Sequence, residues 1–358
     1  MESTLAKLAY QTFQQGKSYF GLTHKTLSTQ LRSLVAPPAQ ERIKPIETRT
    51  LLKFRERLND LLDTDWKDAE NGVYPSALLF DNPWEDFFRF YPMVWLDMPS
   101  TWDRANNDRF YDFGPGVKTE GYPKYYARTF HNQTDGYLSD RSADLYDLQV
   151  EILFNGSADP MRRRILAPLK QELTKAGIPN APQTRVLDVA CGTGRTLRML
   201  RGALSEVSLF GTDLSPAYLR KANQNLSEIP GELPQLLNAN AEALPYRDNY
   251  FQGVTSVFLF HELPAPVRQA IINECFRVTC PGGVFVICDS IQRGDFSDMD
   301  VFLENFPAMF HEPFYKNYTE DDISGRLVQA GFEVVETQVH FASKYWVARK
   351  PAEAGVTA

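Results

Sequence analysis

The sequence is short of the residues that announce several classes of protein. Only four of its 358 residues are cysteine, and Cys191, Cys275, Cys280 and Cys288 include no C-x-x-C pair. That pattern argues against a zinc site or a disulfide framework, so no metal is expected; it fits free thiols in a reducing compartment, the cytoplasm or an organelle stroma or matrix. Lys and Arg number 38 against 45 Asp and Glu. With no basic excess to neutralise a phosphate backbone, nucleic acid is not expected as a partner. The one dense basic cluster, Met161-Arg162-Arg163-Arg164, reads as a solvated helix face. No apolar run approaches the ~20 residues that span a bilayer, and no tract is of low complexity.

Aromatic residues, by contrast, make up 13% of the chain. They crowd between Trp84 and Phe130 among many Pro, Asp and Asn, at a spacing that fits neither the helical nor the strand period. Two readings of residues 72–137 stand side by side: a loop-rich segment pinned down by buried rings, or an aromatic wall for a flat or greasy substrate. Ahead of it, residues 3–15, 23–35 and 46–63 are predicted helices, separated by Pro37-Pro38 and Pro45. The first 36 residues are poor in acids and rich in Ser and Thr, as in organelle transit peptides. The helical spacing of Leu5, Leu8, Ala9 and Phe13 instead predicts a mature amphipathic helix. Further helices are expected from Asp140 to Phe154, and from an Asp159 N-cap with Pro160 at its first position to a stop at Gly177.

The second half alternates strands and helices. Arg185-Val186-Leu187-Asp188-Val189 runs into Ala190-Cys191-Gly192-Thr193-Gly194 and then a helix carrying Leu197, Leu200 and Leu204. Strand, tight glycine turn and helix open a nucleotide-binding α/β unit, in which glycine lets backbone approach a ligand. A dinucleotide fingerprint wants a third small residue, but bulky Leu197 stands there, which counts against a nicotinamide oxidoreductase. Val207–Thr212 is a second buried strand ending in Asp213, an acid suited to a ribose, with Ser215 capping the helix that Pro216 begins. A third strand starts at Leu236, a fourth covers Phe251–Phe260 and a fifth Val284–Asp289. Helices 265–278 and 319–330 (Thr319 cap, Gly331 stop) and strands 332–339 and 345–349 follow. Residues 290–318 form an aromatic insertion before the last helix.

Val-Leu-Asp-Val-Ala-Cys-Gly-Thr-Gly resembles the first motif of class I S-adenosylmethionine-dependent methyltransferases. Together with Asn240-Ala241-Glu242-Ala243-Leu244-Pro245-Tyr246 and Pro281-Gly282-Gly283, it is most similar to their UbiE/COQ5-like (methyltransferase type 11) group. The resemblance covers about 159–350. It implies an α/β, Rossmann-like seven-stranded sheet with helices on both faces, S-adenosylmethionine as cofactor and methyl transfer as activity. It also implies cofactor contacts from Asp188, Ala190, Gly192, Gly194, Asp213, Leu214, Asn240, Ala241, Glu242 and Phe258. Asn240 departs from the family's usual Asp; it keeps an oxygen for the adenine amino group and loses the charge. Residues 1–158 then stand as a mainly helical lid or substrate- or partner-binding region, with His131, Tyr137, Tyr146 and Asp147 where a lid would lie. Residues 351–358 read as a flexible tail.

A sulfonium methyl is already primed to leave, so the chain must chiefly place a nucleophile and exclude water. A base is needed where the acceptor must lose a proton. His261, Glu262 and His131 are the catalytic candidates, His being better matched to neutral pH. The two histidines cannot be ranked from sequence. The acceptor is expected to be a small apolar or aromatic molecule, C- or O-methylated. A protein substrate or partner bound through residues 1–158, and a non-catalytic cofactor-binding protein, are the alternatives.

Overall fold

The computed structural model describes residues 2–37 and 43–352. Its frame is a seven-stranded sheet in the order β3-β2-β1-β4-β5-β7-β6. These are β1 (Arg185–Val189), β2 (Ser208–Asp213), β3 (Gln235–Asn238), β4 (Phe251–Val257), β5 (Thr279–Ser290), β6 (Glu333–His340) and β7 (Ser343–Arg349). The first five run parallel, and β7 is antiparallel to both β5 and β6. The apolar run of β1 is double-sided, as a strand covered on both faces must be. Val186 packs into one core with α6 (Leu166–Lys175), α7 (Arg195–Ala203) and α8 (Pro216–Ser227). Leu187 and Val189 pack into the other with α9 (Ala265–Val278) and α12 (Ile323–Ala330). The order reverses at β1, between β2 and β4, which opens a crevice at the strands' carboxyl ends.

The N-terminal half departs from the sequence reading in three places. Residues 3–15 and 23–35 are one helix, α1 (Glu2–Val35). Gly21 sits where a Cβ would come within 3.0 Å of Asn155, so it serves close packing and is no breaker. α2 (Thr48–Glu70) runs longer than expected. Within 72–137 lies a long helix, α3 (Trp84–Asn107), that keeps Pro92 and Pro99 in its interior. Phe90 and Val94 bury against Leu145, Leu148 and Ile152 of α4 (Asp140–Leu153), and this packing outweighs the backbone bonds the prolines forfeit. Tyr10, Trp66 and Tyr74 bury in the same cluster as Val186, so the helical half shares the core of the sheet. Of the tail, 353–358 lie outside the described residues.

The basic cluster is corrected outright. Met161, Arg162, Arg163 and Arg164 are all buried, around the end of the short α5 (Ala158–Arg163), whose N-cap is Ser157 and not Asp159. Arg163 forks onto Asp65 at 2.9 and 2.6 Å, and Asp65 also accepts from Tyr10 and Tyr74. Arg162 and Arg195 share Asp159, and Arg164 meets Asp68. The Arg163–Asp65 and Arg164–Asp68 pairs fasten α2 to the start of the sheet domain. Arg163→Ala strands Asp65 in the interior, at a cost of about 3–5 kcal/mol. The expected result is a Tm lowered by about 10 °C in a thermal melt; an unchanged Tm would show that the pair contributes nothing. The last helix is corrected too: Thr319 ends α11 (Tyr315–Thr319), and Asp322 caps α12 through Gly325 N–H.

Candidate functional site

The crevice is built by three loops. After β1 the chain turns sharply, with Ala190, Gly192 and Gly194 at φ of 58°, 54° and 82°. The two glycines serve different ends. A Cβ on Gly192 would meet only Tyr218, at 4.0 Å, so that face of the loop is open to a ligand. A Cβ on Gly194 would press Leu226 and Ala222 at 3.1 and 3.2 Å, so this glycine lets α8 close on the turn. Leu197 is fully buried in the core, in place of the small residue of a dinucleotide site. Asp213, ending β2, fixes the loop by accepting from Gly192 N–H at 2.9 Å and Ser215 N–H at 2.8 Å. After β3, Asn240 accepts from Glu242 N–H at 2.9 Å, and Glu242 accepts from the Tyr125 hydroxyl at 2.6 Å.

The electrostatics favour a cation. Burial pushes Asp188 up to about 7, with Asp213 adding to the shift against the Thr255 hydrogen bond and Arg162. Burial likewise lifts Asp213 to about 6, opposed by its backbone donors and reinforced by Glu262. Carboxylates pushed up by burial in a dry crevice are relieved by a positive ligand. Residues 109–139 run along this edge: Tyr125 packs beside Ala241, and Tyr137 O accepts from Ser215 Oγ at 2.6 Å.

Beyond β4 lies a cavity of about 630 Å³, walled by Phe54, Phe154, Phe258, Phe306, Phe310 and Tyr315, with His131, His261 and Glu262 on the same lining. Phe258 takes a left-handed φ of 58°, and the 3-10 turn Phe260–Glu262 then presents His261 and Glu262. Asp289, at the end of β5, holds that turn by accepting from Phe260 N–H at 2.6 Å, and its other oxygen lies 2.7 Å from His261 Nδ1. Burial pulls His261 down, but Asp289, Glu312 and Glu262 outweigh it and lift the imidazole to about 10. His131 Nε2 lies 3.3 Å from Glu262 and 3.0 Å from Glu312. Glu262 also accepts from the Tyr137 hydroxyl.

The structure thus brings His131, His261 and Glu262 together on one wall. Asp188, Ala190, Gly192, Gly194, Asp213, Leu214, Asn240, Ala241 and Glu242 lie along the ends of β1, β2 and β3. Phe258 stands apart from these, on the cavity wall, stacked on Phe154. Asp147 accepts from Thr193 Oγ1 at 2.8 Å, tying α4 to the glycine loop. The insertion 290–318 supplies part of the wall, and so do α1 and α2 through Leu22 and Leu58, helices whose sequence offered a scaffold, lid or binding region and no catalytic residue. Two charged residues escaped it. Asp289 had the signal of an acid ending a buried strand; Glu312 had none.

Residues 186–283 match the family model described as methyltransferase domain. An uncharacterized protein of Mycobacterium tuberculosis is 35% identical over 140 residues, 39% of this chain and 48% of its own length. Demethylmenaquinone methyltransferase of Thermus thermophilus is 33% identical over 147 residues, 41% of this chain and 61% of that protein. The chain therefore spans only about half to three-fifths of the length of these curated relatives. A crystal structure of a SAM-dependent methyltransferase from Aquifex aeolicus is 20% identical, with a TM-score of 0.39 over 51% of this chain and 89% of that one.

Proposed function

With residues 186–283 matching the family model described as methyltransferase domain, we propose that this protein methylates a small, apolar, ring-bearing acceptor at carbon or oxygen, using S-adenosylmethionine. The observation that carries the reading is the aromatic cavity, which bears two histidines and adjoins the carboxyl end of β4 beside the crevice. An open glycine turn, a ribose-suited carboxylate and two acids raised by burial fit a cofactor that joins a sugar to a sulfonium and an amine. When bound, S-adenosylmethionine supplies an electrophilic methyl group. Gly192 and Asp213 grip the nucleoside from backbone and carboxylate, and Asn240 and Ala241 meet the purine edge. The ring wall excludes water and orients a flat acceptor. His261, held by Asp289 and lifted to about 10, is an imidazolium near neutral pH; its neutral form receives the acceptor's proton where the nucleophile is a hydroxyl, so turnover should rise with pH toward that value. Demethylmenaquinone, named for the Thermus relative, belongs to the same chemical class of acceptor.

The test is incubation with S-adenosylmethionine labelled in its methyl group and a panel of phenols, hydroquinones and aliphatic amines. Label is expected in the ring compounds and not in the amines. Label only in amines, or only in added protein, would overturn the acceptor class.

A further inference from the structure

We propose that His131 Nε2, together with one carboxylate oxygen each from Glu262 and Glu312, binds a divalent first-row transition cation at the wall of the aromatic cavity. The donor atoms of these three residues all lie within 4.8 Å of one another. They come from three distant segments: the turn before α4, the loop after β4, and the loop after α10 (Asp300–Met309). The side chain of Glu312 is 0% exposed, yet among the described residues neither of its oxygens accepts a hydrogen bond of good geometry. A buried carboxylate left so costs several kcal/mol unless a positive group takes it up. His131 Nε2, 3.0 Å away, is shared with Glu262.

The backbone is held in place to make this meeting. His131 and Asn132 both take left-handed φ, at 55° and 58°, which is uncommon for residues other than glycine. His131 N–H donates to His311 O, and the His311 ring stacks on Phe110 at 3.6 Å, so residues on both sides of the cluster are tied together. The Tyr137 hydroxyl donates to Glu262 and orients it, as partners behind metal ligands do. One imidazole and two carboxylates offer too few oxygens for Ca²⁺ and no sulfur for Cu⁺; they suit Mn²⁺, Fe²⁺ or Zn²⁺. Since His131 and Glu262 line the cavity, the ion's free positions face the acceptor. Its role there, holding an acceptor oxygen, rests on the methyltransferase reading; the binding itself does not.

The full-length protein, stripped with a chelator and dialysed, is titrated with Mn²⁺ by calorimetry and by electron paramagnetic resonance of the free ion. One ion per chain is expected. Glu312→Gln and His131→Gln should each weaken it by about 100-fold, while S-adenosylhomocysteine binding is retained. Absence of Mn²⁺ uptake by the wild type, or equal affinity in a folded Glu312→Gln or His131→Gln protein, overturns the site and leaves a cluster that shares protons only. Using both variants keeps the result readable if one misfolds. Mn²⁺ uptake without S-adenosylhomocysteine binding would instead overturn the methyltransferase reading and leave the metal site standing.

Discussion

Replacing Asp213 by alanine is expected to weaken binding of S-adenosylhomocysteine by about 100- to 1,000-fold, the loss of two hydrogen bonds to a charged acceptor. Asp213 already accepts from Gly192 and Ser215 N–H, so its carboxylate is fixed before ligand arrives and keeps lone pairs for further donors. Asp213→Asn keeps the shape and one acceptor oxygen, and should fall between alanine and wild type. The pH dependence has a definite sign. Burial and the neighbouring Glu262 raise Asp213 to about 6, and only the carboxylate accepts from both hydroxyls. Affinity should therefore fall as pH drops through that value, by about tenfold per unit for one linked proton, with the protonation of Asp188 near 7 acting in the same direction. Asp188, Tyr122 and Tyr126 face the same carboxylate and are not expected to reverse this direction, since the tyrosines stay neutral and Asp188 protonates first as pH falls. Calorimetry across pH 5 to 8, a range of about three units around the raised value, reads it directly. Affinity rising toward acid would contradict the assignment.

His261→Ala should lower kcat on a phenolic acceptor by about 100- to 10,000-fold, the usual worth of a positioned proton acceptor, with S-adenosylhomocysteine affinity unchanged. The case for His261 over His131 is geometric. Asp289 lies 2.7 Å from its Nδ1 and its Nε2 is 4.0 Å from Glu262, whereas His131 Nε2 lies 3.3 and 3.0 Å from two glutamates. Asp289→Asn separates positioning from chemistry: kcat should fall by a smaller factor, and the pH profile should move to the acid side as the imidazole loses its charged partner. Full turnover in the His261→Ala protein would remove His261 from the reaction.

The sheet and its crevice were legible because they are written locally. Val186-Leu187-Asp188-Val189 can only be a strand buried on both faces, and Gly192 and Gly194 mark a turn whose use the next helix confirms. Asp213 was legible as an acid ending a buried strand one unit past a glycine loop, which is where β2 ends. What could not be read depends on partners far away in the chain. Arg163 looks like a surface charge until Asp65 is brought to it, and Arg164 until Asp68 is. The prolines of α3 look like breakers until Phe90 and Val94 are seen packed on α4. Glu312 carries no pattern at all; its meaning arises only when His131, strained into a left-handed turn, lands beside it. His131, His261 and Glu262 were legible one at a time, through residue type and position, but not as one wall of one cavity.

The most direct test of the central claim is a crystal structure of the protein soaked with S-adenosylhomocysteine. The account predicts ribose hydroxyls on Asp213, the purine edge against Asn240 and Ala241, and the sulfur turned toward the cavity that holds His261. A crevice left empty at saturating ligand, or one that accepts a pyrophosphate-linked dinucleotide in its place, would contradict it.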